Sequence, residues 1–401
     1  MAVVHYREIE GRSRGYLALL GALGAFILAG LAAAWYMEHN GHYVTGMTNR
    51  IVWGAPHVFA VFLIVSASGV LNVASVASVF GRSLYKPLAR LSGLLAVALL
   101  AGGLAVLVLD LGRADRLIVA MTHYNFKSIF AWNIFLYTGF FAVVAVYLWT
   151  MFERRMNEYS ARAGLAAFLW RLILTTGTGS IFGFLVAREP YDSALLAPMF
   201  IVMSFSFGLA IFVLVLMAAC RGTGRALGEV VLLRLRNLLA VFVAAVMYFV
   251  AVYHLTNFYI ARQHDVVRFF LVDGGVYTAL FWLGQVLVGG AIPLVLLLAP
   301  AARRSRGALA LAAACVVAGG LAQVYVLIIG GEAYPLMMFP DKIVSSTFFD
   351  GVVASYAPSL PEIALGAGGV ALALALTAVA LKVLPFLPRS LADGDVDAGA
   401  A

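Results

Sequence analysis

The sequence predicts an all-α, polytopic transmembrane protein of about ten spans, and three observations point there. Of its 401 residues, 63% are hydrophobic and only 11% are charged, whereas a soluble domain carries about 25% charged residues. The apolar residues gather into runs near the roughly 20 residues that cross a bilayer. Those runs are continuous rather than alternating. Because every backbone polar group must be satisfied inside lipid, they select helices over a β-barrel. The net charge of +8 would suggest nucleic acid in a soluble protein. Here its distribution across the bilayer matters more, and the partner implied is the lipid bilayer, with no nucleic acid.

The predicted spans are 15–37, 51–80, 88–110, 129–152, 164–186, 194–219, 238–259, 275–299, 308–330 and 362–384. The first follows a polar start and is too long for a signal-peptide core, so it is expected to be retained. Span two is 30 residues long and would reach about 45 Å, beyond the roughly 30 Å hydrocarbon core. It must tilt, kink or project, and Pro56 offers a kink near its outer end. Its run Ser66-Ala67-Ser68-Gly69 suits close helix packing. The stretch 111–127 is amphipathic and is expected along the interface. The longest connection, 331–361, carries Pro335, Pro340 and Pro358 with Tyr334, Phe339, Phe348, Phe349 and Tyr356. It is too apolar for a free linker. The tail 388–401, rich in Asp and small residues, reads as disordered.

Ten spans put both termini on one side. Eighteen of the 27 lysines and arginines fall on that side and eight on the other, with Arg171 inside span five. The positive-inside rule then places both termini in the cytoplasm. Eleven of the 19 acidic residues, and six of the seven histidines, lie toward the opposite, outer side. Titratable chemistry is concentrated there. The two cysteines, Cys220 and Cys315, lie in apolar surroundings without metal-ligand spacing. A disulfide framework, a zinc site or an iron–sulfur cluster is not expected within this chain.

Within that outer region, His57 follows Trp53 by one helical turn and shares its face, and Ser68 and Asn72 continue the face inward. A polar line facing lipid would be costly, so it should face the bundle. Asp110 and Arg113 lie three residues apart and can pair if helix persists. His123, Tyr124, Ser128 and Asn133 mark the entry to span four. Tyr124 can donate to a ligand or sit in an interfacial aromatic belt. Tyr253 and His254 reach the outer end of span seven. Arg171 lies roughly 10 Å deep. It must snorkel, pair with a helix or form part of a polar path with Ser68 and Asn72.

These residues resemble the NrfD/polysulfide-reductase membrane-subunit family. The resemblance is carried by Trp53-Gly54, by Ser66–Gly69, by Asp110-Leu111-Gly112-Arg113 and by Asn125-Phe126-Lys127-Ser128. Ala114 follows the arginine where the family usually has Pro, which makes the turn less rigid. Ten spans and the wording of NFKSIFAWNIFLY look most like the branches associated with dissimilatory sulfite reductase and with hydrogenase. The resemblance implies two four-helix bundles plus an additional helix pair, with a first-bundle core at 46–152 and a second bundle at 164–299. It implies a quinone-reactive subunit of a respiratory redox complex in the bacterial inner membrane, without its own metal or haem. The quinone, menaquinone or ubiquinone, would be an exchangeable substrate. The implied partners are a ferredoxin-like iron–sulfur subunit and cytochrome c or catalytic redox subunits.

Quinone chemistry moves two electrons and two protons. It needs an apolar slot, donors to the ring oxygens and a proton route. His57 and Asp110 are expected to carry the proton chemistry. Trp53, Arg113, Tyr124, Ser128 and Asn133 are expected to form the binding site, and Arg171, Asn72 and Ser68 a proton path. Two other classes remain open. A haem b cytochrome would need facing histidines, and only His57 and His254 lie well within spans. A secondary transporter would place its polar site at the midplane.

Overall fold

The computed structural model describes residues 5–336 and 351–397. Phe339, Pro340, Phe348 and Phe349 of the long connection lie outside the described residues. Ten described helices are long and apolar enough to cross a membrane: α1 (Arg14–Asn40), α2 (Ala55–Ser78), α3 (Ser83–Leu109), α4 (Ile129–Phe152), α5 (Arg154–Gly183), α6 (Leu196–Thr223), α7 (Glu229–Tyr259), α8 (Val276–Leu298), α9 (Arg306–Ala333) and α10 (Leu360–Val383). They match the predicted spans to within a few residues at most ends. The largest extensions are at the starts of α5 and α7.

Helix pairing gives two closed rings. In one, α2 packs on α3, α3 on α4, α4 on α5 and α5 on α2; in the other, α6, α7, α8 and α9 close the same way. The rings join through α2 and α6, α10 covers α2 and α3, and α1 packs on α10. The second bundle therefore begins at α6 rather than at residue 164, because α5 closes the first ring against α2 and α4. At the joint, Gly69 faces Gly208, and a methyl on either would strike the other helix's backbone. The small-residue run thus lets the two bundles touch backbone to backbone.

Pro56 sits in the first turn of α2, where its missing N–H costs nothing, and it is not the kink. The helix breaks instead at Leu71, between Val70 and Asn72. There the buried Ser92 hydroxyl donates to the Val70 carbonyl (2.8 Å) and accepts from the Ala74 N–H (3.1 Å). A side chain of α3 has entered the i→i−4 ladder of α2, a recognised cause of helix bending.

The two termini meet on one face. β1 (Tyr6–Arg7) pairs antiparallel with β2 (Leu387–Pro388), and the Arg225 guanidinium donates to the carbonyls of Arg7, Glu8, Leu387 and Pro388. The tail expected to be disordered is partly fixed. Leu391 bridges Leu227, and the Asp393 carboxylate accepts from the backbone N–H groups of Glu229 (3.2 Å) and Val230 (2.9 Å). A carboxylate there satisfies donors that the first turn of α7 leaves open. At the opposite end, 111–127 forms a short helix, Leu117–Thr122, whose Ile118 and Val119 are exposed.

Candidate functional site at the end of the first bundle away from the termini

The site begins where α3 stops. Asp110 is its C-terminal cap, and its carboxylate is only 1% exposed. Two histidines from different elements close on it. His57, in the first turn of α2, places Nδ1 3.0 Å from Oδ2. His42, just past α1, places Nε2 3.7 Å from Oδ1 and 3.2 Å from the Asp110 backbone oxygen. The His57 approach is close but not aligned as a hydrogen bond, so the carboxylate keeps unused acceptor capacity. A buried carboxylate is costly unless it has polar partners, and the two imidazoles are the side chains placed to serve it. The side chains of His57 and His42 are 18% and 30% exposed, so the group is approachable from the end of the bundle opposite the termini.

Arg113 does not join it. Asp110 leaves helical geometry and Gly112 turns the chain at φ +68°. A side chain there would be strained and would crowd the His42 ring. Arg113 is carried away and forms a two-pronged pair with Asp115, both bonds 2.9 Å and both side chains 61% exposed. That hydrogen bond holds the Asp115 carboxyl below, and the Arg113 guanidinium above, their usual ranges. The expected Asp110–Arg113 ion pair is not formed.

Trp53 does join it. Its ring centroid lies 6.3 Å from that of His57 and within 5.6–6.4 Å of Phe182, Phe130 and Tyr191, giving His57 an aromatic wall. Burial, with Glu332 nearby, keeps the Tyr191 phenol well above its usual pKa. It remains a donor, to the Ile328 carbonyl at 2.6 Å.

The other expected binding residues are placed elsewhere. Tyr124 stacks edge-on against Phe126 and Phe135, as a member of an aromatic cluster. Ser128 is the N-cap of α4 without a side-chain capping bond. Asn133 is occupied by helix packing: it donates to the Ile129 and Gly177 carbonyls at 2.9 and 3.1 Å and accepts from Thr178 at 3.4 Å. Each of these residues belongs to α4 or α5, so Asn133 staples those helices.

Deeper in, Ser68 meets Thr175 at 2.5 Å and the Arg171 carbonyl at 3.1 Å. Arg171 is fully buried between the rings of Phe168 and Phe205, 4.7 and 5.0 Å away. Its three side-chain nitrogens, the Asn72 amide nitrogen and the Ser66 hydroxyl lack hydrogen-bond partners among the described residues.

Two buried carboxylates were not singled out from the sequence. Glu332, at the end of α9, accepts from the Trp53 N–H at 3.0 Å. Glu362, in the first turn of α10, accepts from the N–H groups of Gly46 (2.8 Å) and Ser359 (2.7 Å) and from the Tyr356 hydroxyl (2.7 Å). That hydroxyl in turn accepts from the Ala55 N–H at 2.6 Å. Burial and the bond to Glu362 raise the Tyr356 phenol above its usual range, so it stays protonated. The two acids fix the entry to α2, and so set where Trp53 and His57 stand. A signal existed for Glu362: Ser359-x-x-Glu362 is a capping box.

Among the described residues there is no group of three or more His, Cys, Asp or Glu placed to hold a metal. The family model "Polysulphide reductase, NrfD" matches residues 43–335. The chain is 31% identical over 389 residues to the "Hdr-like menaquinol oxidoreductase integral membrane subunit" of Archaeoglobus fulgidus, covering 96% of this chain and 97% of that protein. It is 21% identical to a selenate reductase subunit of Mesobacillus selenatarsenatis, over 92% of this chain and 93% of that one. It is 24% identical to a component of the polysulfide reductase of Wolinella succinogenes, over 71% of this chain and 96% of that one. With ten membrane-crossing helices and a family match across most of its length, the chain belongs to the NrfD/polysulfide-reductase family of integral membrane subunits.

Proposed function

We propose that this chain is the quinone-reactive membrane subunit of a multi-subunit oxidoreductase. The observation that carries the reading is the buried Asp110 carboxylate held beside the approachable His57 and the Trp53 wall. Quinol oxidation releases two protons for each electron pair, and the site must receive them. His57 has the reach to hydrogen-bond a ring oxygen, and the Asp110 carboxylate stands 3.0 Å behind it, within reach of a proton passed on by the imidazole. Trp53, Phe130 and Phe182 offer an apolar face to a flat ring. The similarity to a menaquinol oxidoreductase subunit favours menaquinone over ubiquinone.

Two electrons leave through a redox partner, since quinone chemistry alone does not store them in these side chains. An iron–sulfur subunit docking on the outer side fits that need, with catalytic subunits or cytochrome c beyond it. The bias of lysine and arginine toward the side of the termini supports cytoplasmic termini in a bacterial inner membrane, with the site on the opposite side. A sulfur-metabolising branch fits the sequence wording in 125–137. For a proton route from the other side, the unpartnered nitrogens of Arg171 and Asn72 next to Ser68 support a water-bridged path through the joint between the bundles. His57 has a carboxylate neighbour and His254 lies in the other bundle, which favours this reading over a haem held between them. Quinol-linked turnover of the intact complex tests it. Loss in both His57→Gln and Asp110→Asn, with assembly retained, is the expected result, and undiminished turnover in both would falsify the site.

A further inference from the structure

The second bundle contains a polar pocket of its own. It lies inside the ring of α6 to α9, among the side chains of His254, Gln285, Gln323, Met199 and Phe281, with a volume of about 40 Å³. Most of this wall is apolar, yet three polar groups converge in it. Gln323 is 4% exposed, and neither its Nε2 nor the Nδ1 of His254 has a hydrogen-bond partner among the described residues. Gln285 is 7% exposed. The Tyr253 hydroxyl, also on the pocket, closes one end by donating to the Pro190 carbonyl at 2.5 Å.

The backbone around it is unusual as well. Three stretches wind as π-helix: Phe269–Asp273, Leu280–Ala291 and Val326–Gly330. Each contributes wall residues: Phe270 from the first, Phe281 and Gln285 from the second, Val326 and Leu327 from the third. π-Helix is rare, is mostly confined to single turns and recurs at functional sites. Three such stretches facing one cavity, lined by unpartnered polar atoms, are not explained by packing, which would favour regular helix and a filled core.

We infer that this pocket is a binding site for water, occupied by a cluster of about three molecules, since each needs roughly 10–15 Å³ of such space and two to four polar partners. The Gln323 amide donates into the cluster, and His254 completes it through Nδ1. Gln285 supplies both a donor and an acceptor. The cluster places exchangeable protons against His254 inside the second bundle, away from the Asp110–His57 pair. The site does not depend on the quinone reading.

Radiolytic hydroxyl-radical footprinting of the intact complex tests it, because side chains touching ordered internal water are oxidised despite burial. Met199 lines the pocket, whereas Met203, one turn further along α6, is fully buried and does not. The expected result is labelling of Met199 at least several-fold faster than Met203, with that contrast shrinking in Gln323→Leu. Equal protection of both methionines in the unaltered protein would overturn the proposal.

Discussion

At the ends away from the termini, the two bundles each present a histidine, and the two are treated differently. His57 stands 3.0 Å from a buried carboxylate, with His42 on the carboxylate's other side and Trp53 along its ring. His254 has no such partner among the described residues. It is surrounded edge-on by Tyr253, Phe270 and Phe281 and shares its pocket with two glutamines. The first arrangement sets an imidazole against a carboxylate, two groups that can exchange a proton with a bound ligand. The second offers hydrogen-bonding partners without a carboxylate. Both histidines lie within two turns of a helix end, so the difference lies in what the neighbouring helices deliver.

The strongest way to break the comparison is Asp110→Asn, which keeps the shape and removes the charge. Quinol-linked turnover of the complex should fall roughly 10²-fold or more, the usual range for losing a proton-transfer group, while the subunits still co-purify. His57→Gln should follow at about 10- to 100-fold by the same assay. Glu362→Ala leaves the N–H groups of Gly46 and Ser359 without their acceptor. At about 1–3 kcal/mol for each buried group left unpaired, the melting temperature of the complex should drop by several degrees, with turnover reduced through a loosened entry to α2. His254→Gln should change turnover less than about twofold, since no carboxylate stands beside it among the described residues and glutamine keeps a hydrogen-bonding group there. Smallest of all, Arg113→Gln should leave turnover unaltered, because its pair with Asp115 is exposed and turned away from Asp110. A large loss in that variant, measured by the same assay, would restore Arg113 to the site.

Much of the fold was legible in composition and run length: ten spans, small residues at the crossing of α2 and α6, and termini on one face. Where the sequence reading departed from the structure, the cause was each time a contact between distant segments or a local turn. The bend in α2 comes from Ser92 on another helix, not from Pro56, whose place in the first turn makes it harmless. The boundary between bundles depends on α5 folding back onto α2, which run lengths do not encode. Asp110 and Arg113 have helical spacing, but Gly112 enters the left-handed region and separates them. Asp393 gains order by capping α7, a partner more than 160 positions away. Of the candidate site, the proximity of Trp53, His57 and Asp110 was legible because polar residues near a span end are conspicuous. His42, Glu332 and Glu362 were not, since each reaches α2 or α3 from a different part of the chain.

Photolabelling with an azido-menaquinone tests the central claim most directly. The purified complex is irradiated, digested and mapped by mass spectrometry. The account predicts label on peptides containing Trp53 or His57, displaced by excess unmodified quinone and diminished in Asp110→Asn. Displaceable label confined to the second bundle, on peptides around His254 or Phe281, would contradict it.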